Sequence, residues 1–121
     1  MTINMKKLIT ELSEKDYPAE FDQYIGKKVS GKTIDGWEAD YSPREGIVYW
    51  TKEYEDYHWT IMASAGYDYP PIQFMFDVTD ETDDPIIQKQ FKYKPTNFGK
   101  DFKLYMKYLK NMMKLANAKM K

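Results

Sequence analysis

Hydrophobic and polar residues alternate with a period of two through the middle of the chain, between residues 29 and 94. The alternation is clearest in residues 57–64 and 71–78, where large apolar side chains occupy every second position. This pattern is typical of antiparallel strands that bury one face and leave the other in water. Turn-forming residues separate the segments. We therefore predict about five strands: 29–41, 46–52, 57–64, 71–78 and 87–94.

Segments on both sides of this region have the period of an α-helix instead. Apolar residues within 5–12 form one stripe of a first helix, and Pro18 suits the first turn of a short second helix that Gly26 would end. The C-terminal segment predicts a long amphipathic helix over residues 97–120. Its apolar seam is spaced by four and three residues: Phe98, Phe102, Tyr105, Leu109, Met112 and Ala116.

The order of these elements predicts the fold class. Two helices, a run of strands and a final long helix indicate an α+β domain, with a mainly antiparallel sheet and its helices packed on one face. A chain of 121 residues is the size of one ordinary domain. We expect a single domain over 1–121, with two helices in 1–26, the sheet in 29–94 and the C-terminal amphipathic helix in 97–120.

Charge adds a feature that the hydrophobic pattern does not contain. Residues 35–85 hold thirteen carboxylates and two basic residues, a net charge of −11, whereas residues 86–121 hold ten lysines and one aspartate, a net charge of +9. The whole chain is close to neutral, with a net charge of −1. Opposite fields on different surfaces can select and orient binding partners.

Composition narrows the function classes. The chain has no cysteine, which excludes disulfides and thiol chemistry and favours a reducing, cytoplasmic location. Its N-terminus lacks the apolar core of a signal peptide, and no apolar run is long enough to span a membrane. We predict no cofactor and no enzymatic activity, since neither the lone histidine, His58, nor the aspartates of residues 77–84 form a recognisable catalytic or metal-binding motif.

The acidic segment is also rich in aromatic residues and predicts a partner-binding surface. Packing against a core does not require so many carboxylates beside so few lysines, and natural surfaces usually mix both signs. Exposed tryptophan and methionine side chains on the wet face of the sheet would add apolar anchors for a partner protein. The predicted site on this acidic, aromatic sheet surface consists of Trp50, Glu53, Glu55, Asp56, His58, Met62, Met75 and Asp77.

The lysine-rich C-terminal segment supports an alternative, which is nucleic-acid binding. Lysines at regular helical spacing can neutralise phosphates, although the segment has no arginine for bidentate recognition. The candidate residues for nucleic-acid binding are Lys89, Lys92, Lys94, Lys103, Lys107, Lys110 and Lys114. The helical seam also has the heptad spacing of a helix that pairs two chains. Packing within the domain explains the seam as well, which favours a monomer.

These observations predict a small, non-enzymatic binding or regulatory protein. Its size and composition resemble, by analogy only, those of inhibitors, immunity proteins and accessory proteins of mobile elements. A macromolecular partner would engage the acidic, aromatic sheet surface, with a protein preferred because the carboxylates would repel a phosphate backbone.

Overall fold

The computed structural model describes residues 17–65, 73–80, 85–92 and 98–120. Two helices flank a six-stranded sheet in these ranges, in the chain order α1, β1 to β6, α2. The predicted first helix, whose apolar stripe is within residues 5–12, lies outside the described residues. The elements are α1 Tyr17–Val29, β1 Thr33–Ile34, β2 Trp37–Ser42, β3 Ile47–Tyr54, β4 Tyr57–Ala65, β5 Gln73–Thr79, β6 Ile87–Lys92 and α2 Phe98–Lys119.

The sheet is an antiparallel meander in which each strand pairs with the next one along the chain. It has one strand more than predicted, because the segment 29–41 is divided. Val29 ends α1, and a tight turn separates β1 from β2. Asp35 and Gly36 form that turn with positive φ angles of 51° and 83°. This Asp-Gly pair is the sequence signal of a two-residue hairpin.

Both helices pack on the same face of the sheet, which we call the covered face. The α+β class and the position of the helices are therefore confirmed. Alternate residues of β2 to β5 point to this face, and most of them form the core together with the inner sides of α1 and α2. The largest fully buried side chains are Trp37, Trp50, Tyr105, Phe21, Phe74, Phe76, Ile25, Ile61, Leu109 and Met112.

An aromatic cluster joins the two helices to the sheet. Tyr105 of α2 lies with its ring 5.8 Å from that of Phe74 and 5.7 Å from that of Phe76. Phe21 of α1 contacts the same cluster, 5.4 Å from Phe74. The indole N–H of Trp50 donates a hydrogen bond to the Tyr105 hydroxyl at 3.4 Å. Burial raises the pKa of Tyr105, so its hydroxyl stays neutral in the core.

The C-terminal end of α2 is tied to the β1–β2 turn by a lysine. Lys52 of β3 belongs to the covered face, and its ammonium donates to the carbonyl oxygen of Asp35 at 3.0 Å and to Oδ1 of Asn117 at 3.2 Å. The Asn117 amide in turn donates to the Asp35 carboxylate at 2.9 Å. The aliphatic stem of Lys52 thus lies along the edge of the core while its charge reaches polar partners at the rim.

Gly26 lies inside α1 and does not end it, so the predicted helix stop is wrong. The helix continues to Val29 because Gly26 serves a packing role: a Cβ at this position would overlap the ring of Tyr41 in β2. The missing side chain allows the helix backbone to approach the sheet closely at this point. Helix–sheet proximity, and not helix termination, explains this glycine.

Replacing Gly26 by alanine should therefore lower the free energy of unfolding. Alanine gains up to about 1 kcal/mol in helix propensity over glycine, but overpacking a tight contact costs about 1–3 kcal/mol, so we expect a net loss of about 1 kcal/mol. Urea denaturation of Gly26→Ala measures it, with Lys27→Ala on the exposed side of α1 as the control. In a Tyr41→Ala background the Gly26→Ala change should stabilise the protein; a gain in the wild-type background would contradict the packing role.

Candidate functional site: the open face of the sheet

The other side of the sheet, which we call the open face, carries the side chains of β2 to β5 that point away from both helices. None of its residues is buried in the described part of these strands, whereas the covered face contains the core. The difference follows from the period of two, since each strand commits alternate residues to opposite faces. The register places these side chains in rows that cross the sheet.

An apolar band crosses the middle of the open face. Tyr49 of β3 pairs with Met62 of β4, and Met75 of β5 pairs with Ser64 on the next row, which places the two methionines on a diagonal. Ile47 is on the same face two residues before Tyr49. All four apolar side chains are half-buried, so they remain accessible without being isolated. The register thus groups four apolar side chains at neighbouring positions of the open face, and exposed apolar groups of this kind mark partner sites.

Carboxylates flank this band on both sides. Asp40 of β2 pairs with Tyr49, and Asp77 of β5 pairs with Met62, so one continuous row reads Asp40, Tyr49, Met62, Asp77. Glu38 and Glu53 occupy other positions of the same face. In their described residues, β2 to β5 contribute four carboxylates to the open face and no lysine or arginine. The open face is therefore an apolar centre with an acidic rim.

The β3–β4 turn extends the acidic rim beyond the end of the sheet. Glu53, Glu55, Asp56, Tyr57 and His58 line a shallow depression of about 280 Å³. Nδ1 of His58 lies 4.0 Å from the Glu53 carboxylate, and both side chains are well exposed, at 53% and 85%. Solvent screens such a contact strongly, and the pair stabilises the fold little.

Glu55 adopts a left-handed conformation in this turn, with a φ angle of 56°. Residues other than glycine, asparagine and aspartate rarely take this conformation, because the Cβ crowds the following carbonyl. A glutamate is thus held at a strained turn position at the tip of the hairpin.

Among the described residues, no group of three or more acidic or histidine side chains is arranged to hold a metal ion.

Trp50 is a correction to the predicted site. It is fully buried, with 0% exposure, and lies on the covered face in phase with Val48 and Lys52. Lys52, two residues after Trp50, is charged, and a charged residue at alternate spacing predicts the water-exposed face of a strand. Lys52 reaches solvent-side partners from the edge of the core, so its presence does not mark an open face. Trp50 stabilises the core and is not available to a partner.

The remaining predicted residues of the acidic surface lie together. Glu53, His58, Met62, Met75 and Asp77 share the open face, and Glu55 and Asp56 occupy the turn at its end. Four further open-face residues were not predicted from the sequence. Two of them alternate with Glu53 along β3, and the other two are on β2, which pairs with β3, so the period of two could have identified them. They are Glu38, Asp40, Ile47 and Tyr49.

The lysines of α2 lie on the side of the molecule opposite the open face. Lys103, Lys107, Lys110 and Lys114 are all exposed on α2, which packs its other side on the covered face. Lys89 of β6 and Lys114 of α2 meet at an open cleft. Lys92 is the last residue of β6, and Lys94 lies outside the described residues. Among the described residues, no helix is both long and apolar enough to cross a membrane.

Tyr49 is held on the open face by a carboxylate from the preceding loop. Its hydroxyl donates a short hydrogen bond to Oε2 of Glu45, and Ser42 donates to Oε1 of the same carboxylate at 3.3 Å. The hydrogen bond from the hydroxyl to Glu45, with smaller contributions from burial and from the negative charge, raises the pKa of Tyr49 to about 12. Tyr49 is therefore neutral and oriented wherever the protein is folded near neutral pH.

Glu45→Gln should lower the pKa of Tyr49 from about 12 toward the ordinary tyrosine value of 10. The Glu45 carboxylate disfavours ionisation of the Tyr49 hydroxyl because it accepts the hydroxyl proton in a hydrogen bond and is negatively charged. The neutral glutamine amide has no negative charge to oppose ionisation. The raised pKa contributes stability that is present below pH 10 and is lost as pH rises through 12. NMR titration of ring-labelled Tyr49 measures the shift, with Glu38→Gln as a charge-matched control. An unchanged pKa in Glu45→Gln would contradict the hydrogen bond.

Comparisons with known proteins assign no relative to this chain. No protein-family model, curated protein or solved structure matches it.

Proposed function

We propose that this chain is a small, non-enzymatic binding or regulatory protein that engages a partner protein through the open face. The observation that carries the proposal is the apolar band of Ile47, Tyr49, Met62 and Met75 inside a rim of carboxylates. Water-exposed sheet faces usually carry polar or mixed-charge side chains, because apolar ones gain nothing from contact with water. Contact with a partner would remove these apolar side chains from water, which contributes favourably to the free energy of binding.

The chemistry of the surface defines the partner that fits it. An apolar centre requires a complementary apolar anchor, and an acidic rim requires lysine or arginine around that anchor. A nucleic acid is a poor match for the open face, because Asp40 and Asp77 directly flank the central Tyr49–Met62 pair and would repel phosphates. A basic surface of another protein, with an aliphatic or aromatic side chain at its centre, is the expected partner.

The two parts of the surface have different roles in binding. The central pair loses contact with water on binding and supplies most of the free energy, since central, well-packed side chains carry the largest effects in interfaces. The rim carboxylates, and those of the β3–β4 turn, mainly accelerate and orient the encounter. Methionine adapts its shape to the opposing surface, which suits Met62 and Met75 to this position.

Met62→Lys should weaken binding of the partner by at least about tenfold, which corresponds to about 1.4 kcal/mol. The change places a charge in the apolar centre without altering the core, because Met62 is half-buried on the open face. Asp77→Lys should weaken binding as well, and more strongly at low salt, because it reverses a rim charge. The partner is captured from a lysate of the source cell, and its dissociation constant for each variant is then measured by calorimetry.

Lys110→Glu is the matched control, since it reverses a charge on the exposed side of α2. Unchanged unfolding midpoints for Met62→Lys and Asp77→Lys establish that both variants are folded. A captured protein that binds both open-face variants as tightly as the wild type would overturn the proposal.

Nucleic-acid binding is the second candidate, and one observation favours it. Lys103, Lys107, Lys110 and Lys114 are all exposed on one side of α2, and Lys89 adds to the same field at the cleft. Single- and double-stranded DNA and RNA at about 50 mM salt are tested on the same variants. This candidate requires retention that Lys110→Glu reduces and Met62→Lys leaves unchanged. No retention of wild-type protein would exclude it.

A further inference from the structure

The sheet ends at β6 in a strand whose outer side is unpaired in the described part of the chain. Alternate residues of an antiparallel strand direct their N–H and C=O groups away from the neighbouring strand, so an edge strand offers free hydrogen-bonding groups. β6 spans Ile87–Lys92 and is long enough to pair with another segment. The edge at the other end of the sheet, β1, has only two residues.

A cleft of about 420 Å³ lies beside this edge, between β6 and α2. Phe91 and Leu115 form its apolar part, while Lys89, Lys114 and Asn111 supply polar groups. The Phe91 ring is stacked on Tyr108 of α2, with centroids 4.0 Å apart and an interplanar angle of 7°, which fixes the floor of the cleft. Leu115 is 43% exposed, so its side chain is accessible to a segment bound at this edge.

Charge distinguishes between occupants of this edge. Pairing of β6 with β6 of a second copy would bring Lys89 of both chains and the neighbouring Lys114 residues together, and like charges across strands are destabilising. The same lysines would repel any basic segment. Lys89 and Lys114 both attract an acidic segment. The charges at this edge therefore disfavour pairing with a second copy of the chain and favour a negatively charged segment.

We propose that β6 is a peptide-binding edge, at which an extended acidic peptide adds as a seventh antiparallel strand. Lys89 and Phe91 are two residues apart and point to the covered face, where Lys89 pairs with Phe76 and Phe91 with Phe74. A strand added antiparallel to β6 places one residue opposite Phe91 and, two residues later, one opposite Lys89. The matching sequence is an apolar residue, any residue, then a carboxylate. The apolar side chain fills the cleft against Phe91 and Leu115, and the carboxylate pairs with Lys89 and Lys114.

This edge is separate from the open face, so either site can exist without the other. The open face would recognise a basic surface through side chains alone, whereas β6 recognises an acidic peptide largely through its backbone. A failure of one proposal therefore leaves the other untouched.

The test uses a fluorescein-labelled peptide, Thr-Ser-Thr-Leu-Thr-Glu-Thr-Ser-Thr, and a second peptide with lysine in place of glutamate. Fluorescence anisotropy with the 121-residue chain should give a dissociation constant on the order of 100 µM for the glutamate peptide. Lys89→Glu should weaken binding of the glutamate peptide at least about fivefold and strengthen binding of the lysine peptide. Leu115→Ser should weaken both complexes. Lys103→Glu, with the same charge change far along α2, should leave both unchanged.

Backbone pairing is measured separately by amide hydrogen exchange. Saturating glutamate peptide should slow exchange within residues 87–92 and leave β3 unchanged. The proposal is overturned if the glutamate peptide does not bind at about 1 mM, if Lys89→Glu binds it as well as the wild type does, or if residues 87–92 gain no protection.

Discussion

The structure depends on the burial of one face of a six-stranded sheet against two helices. Trp37, Trp50, Phe74 and Phe76 from the strands meet Tyr105 and Phe21 from the helices, and all six side chains are fully buried. The Trp50–Tyr105 hydrogen bond satisfies polar atoms where the sheet meets α2. Because the side-chain period of a strand is two, this burial also fixes the register: a slip by one residue would expose the aromatic core and bury the carboxylates.

The same constraint separates the charges in space. Strands that bury aromatic residues on one side must present their remaining residues on the other, and in β2 to β5 these include four carboxylates. Helix α2 buries Leu109, Met112 and Ala116 and therefore turns its lysines away from the sheet. Among the described residues, the carboxylates of the open face and the lysines of α2 thus lie on opposite sides of one layered domain. Such a molecule orients approaching partners by their charge before contact is made.

Part of this arrangement is predictable from sequence, because burying one face of an element requires a period of two in a strand and of about 3.6 in a helix. The alternation in β4 and β5 and the seam of α2 predict which side chains are buried, and the placement of Met62 and Met75 on the wet face follows. Residues whose side chains have two physical roles are harder to place from sequence. The apolar stem of Lys52 lies on the covered face, whereas its charge suggested a wet face and led to the wrong placement of Trp50. Gly26 has the sequence context of a helix stop, but its role is to make room for the ring of Tyr41. The Lys52–Asn117 contact and the β6 cleft depend on distant segments, which periodicity does not bring together.

The most direct test of this one-sided sheet is the oxidation rate of individual methionines. Met62 and Met75 are half-buried on the open face, whereas Met112 and Met113 belong to α2 and are 0% and 2% exposed. Dilute hydrogen peroxide followed by peptide mass spectrometry reports each sulfur separately in the folded protein. We expect Met62 and Met75 to oxidise at least about tenfold faster than Met112 and Met113, and the difference to disappear in urea. Equal rates in the folded protein, or faster oxidation of Met112, would contradict the assignment of covered and open faces.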